Sequence, residues 1–75
     1  MRNNKEENPK ETIVGTFTKN KSFGFVVPDN KKISKDIFIS KKYFSGAKSN
    51  DKVVVQITKP EIDGKKPEGK IIEIL

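Results

Sequence analysis

The sequence predicts an all-β fold, a small closed barrel of five short strands, and three observations carry that expectation. Five runs rich in β-branched and aromatic residues are separated by turn-forming residues. Only 32% of 75 residues are hydrophobic, so the core must be thin. No stretch sustains a convincing amphipathic helical period.

The elements follow in order. Residues 1–11 hold no apolar residue after Met1 and include Pro9, which reads as a flexible tail or linker. Residues 12–75 form the domain. The first strand is Thr12–Thr18, where Ile13, Gly15 and Phe17 share one face and Val14, Thr16 and Thr18 the other. That parity leaves Phe17 open between core and binding face. The second is Phe23–Val27, with both rings on one side of Gly24 and Val26 on the other. Gly24, having no side chain, eases tight curvature behind the rings. The third is Asp36–Ser40: Ile37 and Ile39 suit the core, leaving Phe38 and Ser40 outward unless the strand is buried on both sides. A competing helix over 33–44 would align Ile33, Ile37 and Phe44, but Ile37-Phe38-Ile39 is strand-like. Residues 41–46 fit a single helical turn closed by Gly46, with Tyr43 and Phe44 anchoring it to the barrel. The last strands are Lys52–Thr58 and Glu68–Ile74, and Asp63-Gly64 supplies tight-turn chemistry between them.

Composition excludes most chemistry. There is no cysteine for a disulfide or thiolate site, and no histidine, the commonest general base and metal ligand. We therefore expect no catalytic residue, metal site or cofactor in this chain. No apolar run is long enough to span a bilayer, and the polar start does not lead into a signal-peptide core. A cytoplasmic protein without membrane association is expected. The net charge is +6. Arg2, Lys5 and Lys10 balance Glu6, Glu7 and Glu11, so the excess lies on residues 12–75 and points to a polyanionic partner.

One constellation suits such a partner. Phe23 and Phe25 project about 7 Å apart from one sheet face, beside Lys19 and Lys21. Aromatic rings stack bases for about 1–3 kcal/mol each, while lysines follow phosphates without reading sequence. An outward Phe38 would complete a three-ring surface, with Ser40 on the same side and Phe17 as the uncertain fourth ring. Lys41 follows directly. Together with Lys42, Lys59, Lys65 and Lys66 it fits a diffuse phosphate-binding rim, although each alone is an ordinary solvated lysine. Asp36 has no ligand partner nearby in sequence and reads as a turn residue. These features suit a single-stranded nucleic acid, and neither stacking nor phosphate contact tells RNA from DNA.

Lys21-Ser22-Phe23-Gly24-Phe25-Val26 resembles the Lys-Gly-Phe-Gly-Phe-Ile stretch of cold-shock domains, and Asp36-Ile37-Phe38-Ile39 resembles their second aromatic strand. The wider frame, through Ala47, Asp51-Lys52-Val53 and Glu68-Gly69-Lys70-Ile71, is similar to the N-terminal cold-shock-like domain of the ribonuclease R and ribonuclease II family. The resemblance covers about residues 12–75. It departs at Ser22, where a glycine is usual, and at Ser40, where free-standing cold-shock proteins carry a stacking histidine. It implies an OB-fold binding RNA on strands 2 and 3 and the adjoining loops. It also implies a parent enzyme, a hydrolytic 3′→5′ exoribonuclease whose Mg²⁺-binding aspartates lie in a catalytic domain outside this chain. Ile74-Leu75 falls within a strand-like run, so the chain reads as a piece of that longer protein and is expected to be monomeric. Two alternatives are a free-standing cold-shock RNA chaperone and a protein-docking OB module. An RNA-recognition motif shares Phe-Gly-Phe-Val but needs two amphipathic helices that this sequence lacks.

Overall fold

Strict alternation along the first strand sets the architecture: Ile13, Gly15 and Phe17 turn inward, while Val14, Thr16 and Thr18 face out. The computed structural model describes residues 11–33 and 35–75. The expected tail over 1–11 thus lies outside the described residues except for Glu11, whose carbonyl accepts from Ile57 N at 2.9 Å and so belongs to the sheet.

Five strands, β1 (Thr12–Lys19), β2 (Phe23–Pro28), β3 (Ile37–Ser40), β4 (Lys52–Lys59) and β5 (Glu68–Ile74), close in the order β1-β2-β3-β5-β4. The strands are those expected, to within a residue at their ends. Every pairing is antiparallel except β3 with β5, which run parallel. Closure leaves the barrel without a free edge, which suits a domain too small to cover one. This is the OB-like architecture expected. The competing helix over 33–44 does not form, because Ile37–Ser40 pairs with β2 on one side and β5 on the other.

Inward residues from every strand meet in one core: Ile13, Phe17, Val26, Ile37, Ile39, Val53, Val55 and Ile71. Phe17 is fully buried, which settles its parity: it is a core ring, and its partner across the sheet is the equally buried Val26. After β3 the chain makes a 3-10 turn over Lys41–Tyr43. Phe44 then plugs the barrel end, meeting Phe17 edge-on with centroids 5.0 Å apart. The turn is closed by Ser45 (φ 54°) and Gly46 (φ 82°). Ser45 Oγ donates to the Ile71 carbonyl at 2.7 Å, tying the turn to β5. Of the two rings expected to anchor this turn, only Phe44 does so. Tyr43 is exposed, with Lys42 Nζ 5.2 Å from its ring centre.

Between β4 and β5, Asp63 (φ 53°) and Gly64 (φ 80°) form the expected tight turn. It is closed by Lys65 N donating to Ile62 O at 2.9 Å. No helix among the described residues is long and apolar enough to cross a membrane.

Candidate nucleic-acid interface

Register places the aromatic residues. Phe23 opposes Ser40 and Phe25 opposes Phe38, while the intervening pairs Gly24–Ile39 and Val26–Ile37 point inward. Phe23, Phe25, Phe38 and Ser40 therefore share the outer face of β2 and β3. Phe23 is 37% exposed, whereas Phe25 and Phe38 are half-buried. The rings are not three independent posts. Phe23 stacks on its diagonal neighbour Phe38, with centroids 5.6 Å apart and planes 16° from parallel. Sheet twist brings such diagonal neighbours within reach of long side chains. The pair makes a firm apolar ledge, with Phe25 beside it.

Gly24 has a further purpose beyond the one expected. A Cβ there would stand 2.5 Å from Phe17 Cε1 and 2.8 Å from the Thr18 carbonyl oxygen. The buried Phe17 ring occupies the space a side chain would need, so close packing, rather than curvature alone, requires glycine. Phe-Gly-Phe thus holds two outward rings directly above a third, and Phe17 supports the face from beneath without forming part of its surface.

The lysines lie around this face. Lys19 ends β1 on the inward parity and is exposed at the barrel rim, where its backbone N–H donates to Ser49 Oγ at 2.8 Å. Lys21 lies in the exposed β1–β2 turn, braced by Asn20 N donating to Phe23 O at 2.8 Å. Lys41 starts the 3-10 turn immediately after Ser40 and is exposed. The ion pairs among the described residues, Lys35–Glu61 and Lys52–Asp29, leave these three lysines out. Lys59, Lys65 and Lys66 line a separate cleft with Pro60, Ile62 and Glu68 on the β4–β5 side. The expected rim is therefore divided into groups.

Three face residues were missed by the sequence reading. Thr18 opposes Phe25 from β1. Glu68 opposes Phe38 from β5, and Lys70 follows it on the same side. Thr18 was legible from strand parity. Glu68 and Lys70 were not, since only the parallel β3–β5 closure brings them here.

The arrangement offers stacking surfaces, peripheral positive charge and one carboxylate. Among the described residues no group of three or more His, Cys, Asp or Glu could hold a metal ion, so the residues present do not fit the divalent cation that the ribonuclease resemblance implies. Such a face suits the stacking of bases, with phosphates near the surrounding lysines.

Comparison with known proteins agrees with this geometry. The cold shock domain family matches residues 25–75. Ribonuclease R of Thermotoga maritima is 43% identical over 63 residues, covering 84% of this chain and 9% of that protein. Ribonuclease R of Escherichia coli is 40% identical over 63 residues, covering 84% and 8%. That of Vibrio parahaemolyticus is 35% identical over 69 residues, covering 92% and 8%. The chain thus spans less than a tenth of the length of these curated relatives. With a closed five-stranded barrel, an outward aromatic ledge on β2 and β3 and this similarity to a segment of ribonuclease R, the chain belongs to the cold shock domain family.

Proposed function

We propose that this chain is the single-stranded RNA-binding accessory domain of a cytoplasmic 3′→5′ exoribonuclease of the ribonuclease R kind. It feeds RNA to a hydrolytic, Mg²⁺-dependent catalytic domain elsewhere in the parent and acts as a monomer. The observation that carries the reading is the stacked Phe23–Phe38 pair, held outward on the same barrel that buries Phe17 and Phe44. Adjoining apolar rings on one outer face mark an interaction site, and aromatic stacking is the sequence-tolerant way to hold unpaired bases. The +6 charge supplies the complementary attraction to phosphate. Similarity to ribonuclease R supports the enzyme context.

Titrating the 75-residue chain with a fluorescent single-stranded RNA at increasing salt tests this reading. The logarithm of the binding constant should fall linearly with the logarithm of salt concentration. A slope of about −0.7 is expected for each phosphate neutralised. Salt-insensitive binding, or none, would refute the reading and leave a protein-docking module.

A further inference from the structure

We infer that Tyr43 is a further stacking position, taking a base of a single-stranded RNA that runs past Phe23 onto the 3-10 turn. The inference rests on the RNA-binding reading and deepens it. Ser40, the outward residue opposite Phe23, carries no ring, so the aromatic face stops there along β3. The 3-10 turn begins at the next residue, Lys41, with Ser40 as its cap. Residues directly opposite in an antiparallel pair have Cα atoms about 5 Å apart. A turn holds its first and fourth Cα atoms within about 7 Å. The backbone of Tyr43 therefore lies no more than about 12 Å from that of Phe23. A stacked strand advances about 3.4 Å per nucleotide, so a few nucleotides cover that span.

The turn divides its two aromatic residues. Phe44 is buried and closes the barrel end against Phe17, so the core does not call on Tyr43. Tyr43 is 37% exposed, the same as Phe23, and belongs to neither aromatic pair among the described residues. Its ring meets charge instead, with Lys42 Nζ 5.2 Å from the ring centre. The ion pairs among the described residues, Lys35–Glu61 and Lys52–Asp29, include neither Lys41 nor Lys42.

An exposed ring beside an ammonium matches a nucleotide on two counts. Every base has a π-face, and stacking it on tyrosine withdraws both rings from water. The phosphate of the same nucleotide supplies an anion for Lys42, which a lysine meets as a point charge. An apolar protein surface would fit less well, because covering Tyr43 would bury the flanking lysines without partners. Phosphate contact alone would need the lysines and no ring.

Tyr43 is the single tyrosine of a chain without tryptophan, so tyrosine emission reports this position alone. The experiment titrates the whole chain with ten-nucleotide oligouridine at pH 7.5, following tyrosine emission and, with labelled oligomer, anisotropy. The oligomer should quench Tyr43 saturably, beyond its effect on free N-acetyltyrosinamide, with the midpoint that anisotropy gives. Tyr43→Ala should bind about fivefold more weakly, the low end for one stacked base, while Tyr43→Phe should keep the parent affinity. Matched urea midpoints would show both variants folded. The salt slope of Tyr43→Ala should equal the parent's, because no phosphate contact is lost. Binding without quenching overturns the inference and leaves RNA binding intact. So does a folded Tyr43→Ala chain of unchanged affinity, or one whose weaker binding comes with a flattened salt slope. Should Tyr43→Ala unfold, the quenching titration of the unaltered chain decides. Failure of the oligomer to bind would instead bring down the RNA-binding reading, and this inference with it.

Discussion

Removing the Phe17 ring and removing the Phe23 ring should damage different properties of the same barrel. Phe17 is fully buried, packed edge-on against Phe44 at 5.0 Å and beneath Gly24. Truncating such a ring to alanine costs roughly 3–5 kcal/mol. A domain of this length has a total stability of roughly 3–10 kcal/mol, so Phe17→Ala should leave it at or near its unfolding midpoint. Phe23 is already 37% exposed. Scaling the roughly 1.5–3 kcal/mol for full burial of such a side chain gives about 1–2 kcal/mol. Loss of its stack on Phe38 adds about 0.5–1.5 kcal/mol. Phe23→Ala should therefore lower the urea midpoint yet remain folded, while RNA affinity drops by about 1–3 kcal/mol, the worth of one stacked base. The assays are urea melts followed by far-ultraviolet circular dichroism, paired with RNA anisotropy titrations on both variants. A Phe17→Ala chain with an unchanged midpoint would refute the division between core ring and surface ring. So would a folded Phe23→Ala chain that binds RNA as well as the parent.

Two further outcomes are expected. Gly24→Ala should destabilise the barrel by about 1–3 kcal/mol through overpacking, because the new Cβ would lie 2.5 Å from a Phe17 ring atom; a urea midpoint equal to the parent's would contradict that. The chain alone should not degrade labelled RNA in the presence of Mg²⁺, since two-metal phosphoryl chemistry needs closely grouped ligands. Cleavage that co-purifies with the chain and vanishes in Asp36→Asn would contradict it.

The strands were legible because each β-branched or aromatic run is bounded by residues that favour turns, and because strand alternation is rigid. Phe38 and Ser40 could be assigned outward from Ile37 and Ile39 alone. Phe17 could not be assigned in this way. Its face on β1 holds Ile13, which suits a core, and Gly15, which carries no side chain to judge by. Its position is decided by Val26 across the strand pair and by Phe44 arriving from the 3-10 turn, both tertiary facts. Glu68 was illegible for a related reason. Hairpin chemistry connects sequence neighbours, whereas the parallel β3–β5 contact joins segments separated by the whole of β4. The stack of Phe23 on Phe38, rather than Phe25 on Phe38, depends on the diagonal geometry of a twisted sheet, which residue order does not contain.

That parallel contact also bears on how the domain is made. β1, β2 and β3 form a local meander available early in synthesis, but β3 has its second neighbour only after Glu68–Ile74 has emerged. Until then Ile37-Phe38-Ile39 borders an unpaired strand edge, an aggregation-prone condition for a growing polypeptide. The closing event spans a long sequence separation, so it sets the pace of folding, and it favours an all-or-none transition. A nascent chain thus has the rings of β2 and β3 before β5 arrives to complete the sheet around them.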